Sequence, residues 1–163
     1  MKTLLLLRHA KSSWKDSDLD DHDRPLNKRG KRDAPRMGKL LVDEHLLPDL
    51  ILCSSAKRCR RTAELVAQAA GFRGETRITG EAYEANAERL LNLISNLPNS
   101  AARVLFISHN PGLEEFLEAA TGEYRPLSTA ALAALEFPVN NWSEINRETR
   151  AELKHLWQPR ELE

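Results

Sequence analysis

The chain is poor in cysteine and has no long apolar run. Two Cys occur in 163 residues, at positions 53 and 59, and nothing resembles a signal peptide or a span of about 20 apolar residues. The expectation is a cytoplasmic, reduced protein with no membrane partner. Net charge is also missing, since 24 Lys and Arg balance 24 Asp and Glu. The basic run Lys28-Arg29-Gly30-Lys31-Arg32 has no interleaved aromatics, which together with the zero net charge argues against a nucleic-acid partner. Repeats, low-complexity tracts and linkers are absent. At roughly 100 to 200 residues per domain, the length fits one domain over 1–163 with a real core.

What charge there is lies unevenly. Residues 1–60 carry 14 Lys and Arg against 9 Asp and Glu, and the remainder carries 10 against 15. The basic half suits an anionic substrate, although solvated helix faces would give the same imbalance.

Strand signals fall at Thr3–Leu7, Asp49–Cys53, Thr76–Thr79, Val104–Ile107 and Ala130–Phe137, with helical periodicity in most intervals. Such alternation predicts an α/β fold: a single three-layer α/β/α domain with a mainly parallel central sheet. Asn27 is placed to cap a helix toward His45, which Pro35 must kink or restart. Lys57–Ala70 is amphipathic and ends at Gly71, and Ala87–Leu97 is amphipathic and stops at Pro98. Pro111 just inside the following helix puts its N-terminus beside His109. Asn140–Arg150 reads as a polar loop. In the last segment Ala151, Leu153, His155 and Trp157 alternate with Glu152, Lys154, Leu156 and Gln158, as in a half-exposed edge strand.

Two of these strands end on chemistry. Thr3–Leu7 delivers Arg8-His9-Ala10 to its tip, and Val104–Ile107 runs into Ser108-His109-Asn110-Pro111-Gly112. The C-terminal ends of parallel strands are where such folds bind ligands. Two histidines and an arginine there suggest an anion site. Taken singly, Arg8 could pair with a carboxylate, Arg58 could be one more charge in Lys57-Arg58-Cys59-Arg60-Arg61, and His109 could cap a helix.

The wider pattern Leu7-Arg8-His9-Ala10-Lys11-Ser12-Ser13-Trp14 resembles the Arg-His-Gly signature of the histidine phosphatase (phosphoglycerate mutase-like) superfamily, with Ala10 where Gly is usual. Arg24-Pro25-Leu26-Asn27-Lys28-Arg29-Gly30 is similar to its Arg-Pro-Leu-Thr-x-x-Gly segment. Ser54, Arg58, Thr62 and Ala63 match its Ser-x-x-x-Arg-Ala-x-x-Thr-Ala segment, and Ser108-His109 supplies a fourth motif in the family's order. The short length and the Arg-His-Ala-Lys-Ser opening resemble the small phosphohistidine phosphatase (SixA-like) branch.

The resemblance implies a metal-independent phosphatase that needs no cofactor. His9 would be the nucleophile and form a phosphohistidine intermediate, with Arg8 and Arg58 clamping phosphate oxygens and His109 adding a donor. For the leaving group's proton it points to Glu84 in Ala82-Tyr83-Glu84, with Glu81 as second choice; the phosphohistidine branch often lacks such an acid. The expected substrate is a phosphohistidine side chain on a phosphorelay protein. The alternatives are a small phosphorylated metabolite and, outside enzymes, a phosphoprotein-binding module, against which the intact His9 argues. Specificity would lie in the loops 12–24 and 80–87.

Other clusters read as bland. Cys53 precedes Arg58 by four intervening residues, one short of the spacing of a cysteine phosphatase, and is expected to be a buried or incidental thiol. Asp16, Asp18, Asp20, Asp21 and Asp23 lack the central Gly and the twelfth-position Glu of a calcium loop, so a solvated, mobile loop bordering the site is expected. His22 and His45 have no metal-ligand spacing and read as surface residues.

Overall fold

In a computed structural model that describes residues 1–162, six strands form one sheet with helices on both faces. The strands are β1 (Lys2–Arg8), β2 (Leu50–Ser54), β3 (Glu75–Thr79), β4 (Arg103–Ser108), β5 (Leu132–Phe137) and β6 (Glu152–Trp157). The helices are α1 (Lys28–Asp43), α2 (Lys57–Ala70), α3 (Ala87–Ser95) and α4 (Gly112–Thr121). The sheet order is β3-β2-β4-β1-β5-β6, with β1 parallel to β4, β4 to β2 and β2 to β3, while β5 runs antiparallel to β1 and β6 to β5. This is the expected α/β/α architecture. No helix of the described residues is long and apolar enough to cross a membrane.

The leucine run of β1 shows why the sheet is covered on both sides. Successive side chains point to opposite faces, so Leu4 and Leu6 pack with Phe106, Leu113 and Phe116 on the α3–α4 side. Leu5 and Leu7 pack with Met37, Leu41 and Val66 on the α1–α2 side. Burial on both faces explains a continuous apolar run where a half-exposed strand would alternate.

Several local expectations are corrected. α1 continues through Pro35 with no second start. Asn27 caps it by accepting from the Gly30 N–H at 2.9 Å. Close packing on α2 holds the helix together: a Cβ on Gly38 would lie 2.4 Å from the Val66 carbonyl oxygen. Pro111 precedes α4 and does not lie inside it. β5 begins at Leu132 and not at Ala130, because Ala130 adopts a left-handed φ of 62° and turns its N–H onto the carbonyls of Arg8 and His9. The loop 140–150 is less polar than its composition suggests, since Trp142 is fully buried and donates Nε1–H to the Ala101 carbonyl at 2.8 Å.

β6 does lie at the sheet edge, but its alternation breaks. The register shifts between Ala134 and Leu135, which face His155 and Leu153, so Lys154 is the extra residue of a bulge. Leu153 and Leu156 then pack toward the α3–α4 core, while Trp157 packs on the opposite side and stacks on His155 with ring centroids 4.1 Å apart.

Candidate active site

The ends of β1, β2 and β4 open into one cavity of about 790 Å³, lined among others by Arg8, His9, Arg58, Tyr83, Glu84 and His109. Helix packing fixes its walls. A Cβ on Gly30 would lie 2.2 Å from the Lys11 carbonyl oxygen, so only glycine lets the first turn of α1 reach the segment after β1. Gly112 stands in the same relation to the Ala85 carbonyl, also 2.2 Å from its ideal Cβ. Ala10, at the position where Gly is usual, is fully buried among Leu5 and Leu7. Its φ is not positive, so its methyl group strains nothing. A separate apolar cavity of about 390 Å³ between α3, α4 and the 145–149 segment is lined by none of Arg8, His9, Arg58, Glu84 and His109.

His9 is 7% exposed, and its orientation follows from one contact. Nδ1 lies 2.8 Å from the Ala10 carbonyl oxygen, which can only accept, so the proton sits on Nδ1 and Nε2 keeps its lone pair. Burial, opposed by that carbonyl and helped by His109, Arg58 and Arg8, pushes its pKa down to about 3. The ring is therefore neutral at physiological pH. Thr62 ties the turn to α2, accepting from the Ala10 N–H at 3.0 Å and donating to the Arg58 carbonyl at 2.7 Å. That pair of bonds accounts for the threonine of the third motif.

His109 stands across from His9, with ring centroids 5.3 Å apart. Arg58 Nη2 lies 3.3 Å from its Nδ1 and can only donate, so Nδ1 is the acceptor. The proton then sits on Nε2 and points to Ser54 Oγ at 2.7 Å. Burial and then Arg58 push its pKa down to about 4. To donate toward the cavity, His109 would first have to take a proton on Nδ1. Cys59 Sγ lies 3.4 Å from Nε2, but burial pushes that thiol up to about 12 and Cys53 higher still. Both thiols are buried, as expected for Cys53.

Arg8 donates Nη1–H to the Leu127 carbonyl at 3.0 Å. That peptide is held in turn by Glu114, whose Oε2 accepts from the Leu127 N–H at 2.7 Å and from Asn110 Nδ2 at 2.9 Å. Arg58 donates to Asp21, Nη1 to the backbone oxygen at 2.7 Å and Nη2 to Oδ2 at 3.0 Å. Glu84 is exposed, lines the cavity and has a positive φ of 56°.

The structure thus brings Arg8, His9, Arg58, His109 and Glu84 to one cavity. It also brings in residues whose role is not legible in the sequence. Asp21 accepts from Arg58, from Arg24 Nε at 3.1 Å and from the Tyr83 hydroxyl at 2.6 Å. His22 is no free surface residue, since Nε2 lies 2.8 Å from Ser55 Oγ and its ring meets the Tyr83 ring edge-on at 4.8 Å. Nothing in five closely spaced aspartates distinguishes Asp21 from its neighbours, because two of its three partners, Arg58 and Tyr83, are distant in sequence. Among the described residues no group of three or more His, Cys, Asp or Glu could hold a metal ion.

The two buried neutral histidines set a pH dependence of stability. Both pKa values fall below the ordinary 6.5, so the unfolded chain binds protons that the folded chain refuses. Stability is then complete above about pH 6.5 and is lost as pH falls toward 4, with uptake on unfolding approaching about two protons. Urea midpoints should drop between pH 6.5 and 5, above the carboxylate range. A flat midpoint over that window would show that the histidines are not held neutral.

Comparison with known proteins agrees with this geometry. Residues 4–78 match the model of the histidine phosphatase superfamily, branch 1. An uncharacterised chloroplast protein of Arabidopsis thaliana is 37% identical over 152 residues, covering 88% of this chain and 70% of that protein. The crystal structure of SixA from Agrobacterium tumefaciens, a candidate phosphohistidine phosphatase, superposes with a TM-score of 0.84 at 32% identity, covering 97% of this chain and 98% of that one. A protein histidine phosphatase SixA bound to tungstate shares the fold, with a TM-score of 0.84 at 21% identity over 99% of each chain. With the four motifs in order and their side chains in one cavity, the chain belongs to the histidine phosphatase superfamily, in its SixA-like branch.

Proposed function

We propose that the protein is a metal-independent phosphatase that removes phosphate from phosphohistidine in a phosphorelay protein, through a phosphoryl intermediate on His9. The observation that carries this reading is the His9 ring. Its Nδ1–H is committed to the Ala10 carbonyl at 2.8 Å, leaving Nε2 an unprotonated nucleophile in a cavity shared with Arg8, Arg58 and His109.

In the first step Nε2 attacks phosphorus in line and the bond from phosphorus to the leaving group breaks. A phosphohistidine substrate that reacts with its other ring nitrogen protonated releases a neutral imidazole carrying that proton. In the second step water attacks the phosphoryl group on His9, the N–P bond breaks, and orthophosphate leaves with His9 restored. The loose transition state places negative charge on the equatorial oxygens. The fixed guanidinium groups of Arg8 and Arg58 supply the compensating charge that metal ions supply in other phosphatases. Glu84 is the proposed proton donor for substrates whose leaving group is an alkoxide.

A protein-borne phosphate is favoured because, apart from the 9–27 segment that supplies Trp14, Asp21 and Arg24 to the cavity wall, the connections at the strand ends are short. The four connections out of β1, β2, β3 and β4 are each used to reach a core helix, leaving little chain for a lid. Purified protein should release phosphate from a phosphohistidine phosphotransfer domain faster than from a panel of phosphorylated metabolites. Orthovanadate, a mimic of the five-coordinate phosphoryl group, should inhibit competitively, and chelators should leave the rate unchanged. A clear preference for one metabolite would replace the substrate, and activity restored only by added magnesium or zinc would refute the metal-independent chemistry.

A further inference from the structure

Asp21 occupies the guanidinium that the catalytic reading gives to phosphate. Both terminal nitrogens of Arg58 are on it, Nη1 on the backbone oxygen at 2.7 Å and Nη2 on Oδ2 at 3.0 Å. A carboxylate and a phosphoryl group present the same kind of acceptor to this planar fork, so a phosphoryl group at this end of the guanidinium competes with Asp21 for the N–H groups it holds.

We propose that Asp21 is a positioning residue of the reaction cycle, holding Arg58 between turnovers as an internal anion and competing with orthophosphate for it, so that product is released. The proposal rests on the phosphatase reading.

Three features support a competing partner over a permanent one. First, exposure is unequal: the Arg58 side chain is 7% exposed and that of Asp21 is 47% exposed, so water can solvate a carboxylate that leaves the guanidinium while the arginine stays buried. Second, Asp21 has other holds. Oδ1 accepts from Arg24 Nε at 3.1 Å and Oδ2 from the Tyr83 hydroxyl at 2.6 Å, so a displaced carboxylate keeps partners and is not stranded beside the phosphate. Arg24 is itself fixed, with its guanidinium carbon 3.4 Å from the centroid of the Trp14 ring. Third, the carboxylate stays charged. The Tyr83 hydrogen bond first, and Arg58 against the cost of burial, lower its pKa to about 2. An Asp21 carboxylate returning to Arg58 repels a dianionic product, whereas the phosphoryl group of the intermediate is held by its bond to His9. The competition therefore weakens product more than it weakens the reacting group.

The test compares wild type with Asp21→Asn and Asp21→Ala, both on an exposed segment. The readouts are inhibition constants for orthophosphate and orthovanadate, with KM and kcat on an aryl phosphate. The variants should bind orthophosphate about five- to thirtyfold more tightly, as expected for losing one partly exposed charge-assisted contact. KM should fall in parallel, and kcat should not rise. Weaker phosphate binding would mean that Asp21 orients Arg58 for substrate, and constants within twofold of wild type would mean that it does not compete; either overturns the role of Asp21 alone. A wild-type protein that binds neither anion and leaves aryl phosphate intact would overturn the phosphatase reading beneath it.

Discussion

His9→Ala is expected to lower kcat/KM on an aryl phosphate by at least about a thousandfold, because it removes the nucleophile of a covalent mechanism, while the fold stays intact. The imidazole takes no part in either apolar cluster. What holds the turn is backbone: the His9 N–H on the Ser108 carbonyl at 3.1 Å, the Ala130 N–H on the Arg8 and His9 carbonyls, and the Ala10 N–H on Thr62. These bonds survive loss of the ring, whose own hydrogen bond goes to the Ala10 carbonyl, so urea unfolding should stay cooperative with at most a modest drop in midpoint. Rapid acid-free quenching of wild type with a labelled substrate should trap phosphate on the chain, and the variant should trap none. More than a tenth of wild-type activity in His9→Ala would sink the covalent assignment.

Glu84→Gln is expected to slow hydrolysis of alkyl phosphates by roughly a hundredfold to ten-thousandfold, the usual size of general-acid assistance. The same change should barely affect phosphohistidine or aryl phosphates. An alkoxide cannot leave without a proton, whereas an aryloxide or an imidazole can. The position of Glu84 fits a reserve donor: it is exposed at the cavity wall beside Tyr83. Parallel kcat/KM measurements on the three substrate classes decide the matter. An equal, large loss on all of them would make Glu84 a structural or binding residue and end its assignment as the acid.

The parts of the fold that were legible in the sequence share a physical cause. β1 and β4 are buried on both faces, so their runs of Leu, Val, Phe and Ile announce themselves, and the residues at their tips could be placed at one end of the sheet before any coordinates. His9 and Arg8 were readable for that reason, and Arg58 and His109 through the motifs around them. Other features depend on partners far along the chain. The Lys154 bulge breaks an alternation that looked regular, because the register of β6 is set by β5. Trp142 is drawn out of a polar stretch by the Ala101 carbonyl, 41 residues earlier. Asp21 is hardest to see, for its partners Arg58 and Tyr83 lie 37 and 62 residues away. Ser54 and Thr62 are intermediate: the motif marks both, but only the contacts to His109 and to Ala10 say what each does.

The two outer strands have a consequence for how this chain behaves beside copies of itself. A sheet edge is a row of unpaired backbone groups that another strand can adopt, and a sheet of this order has two of them. On β3 the edge carries the exposed Glu75–Arg77 ion pair at 2.7 Å. On β6 the bulge at Lys154 bends the strand, and the lysine is held over the sheet by Glu136 at 3.3 Å. Charge on one side and a kink on the other discourage an incoming strand, as edge devices do. Without β6 the mostly apolar Leu132–Phe137 strand would become the new margin, so the half-exposed last strand shields a far more adhesive edge than the one it presents.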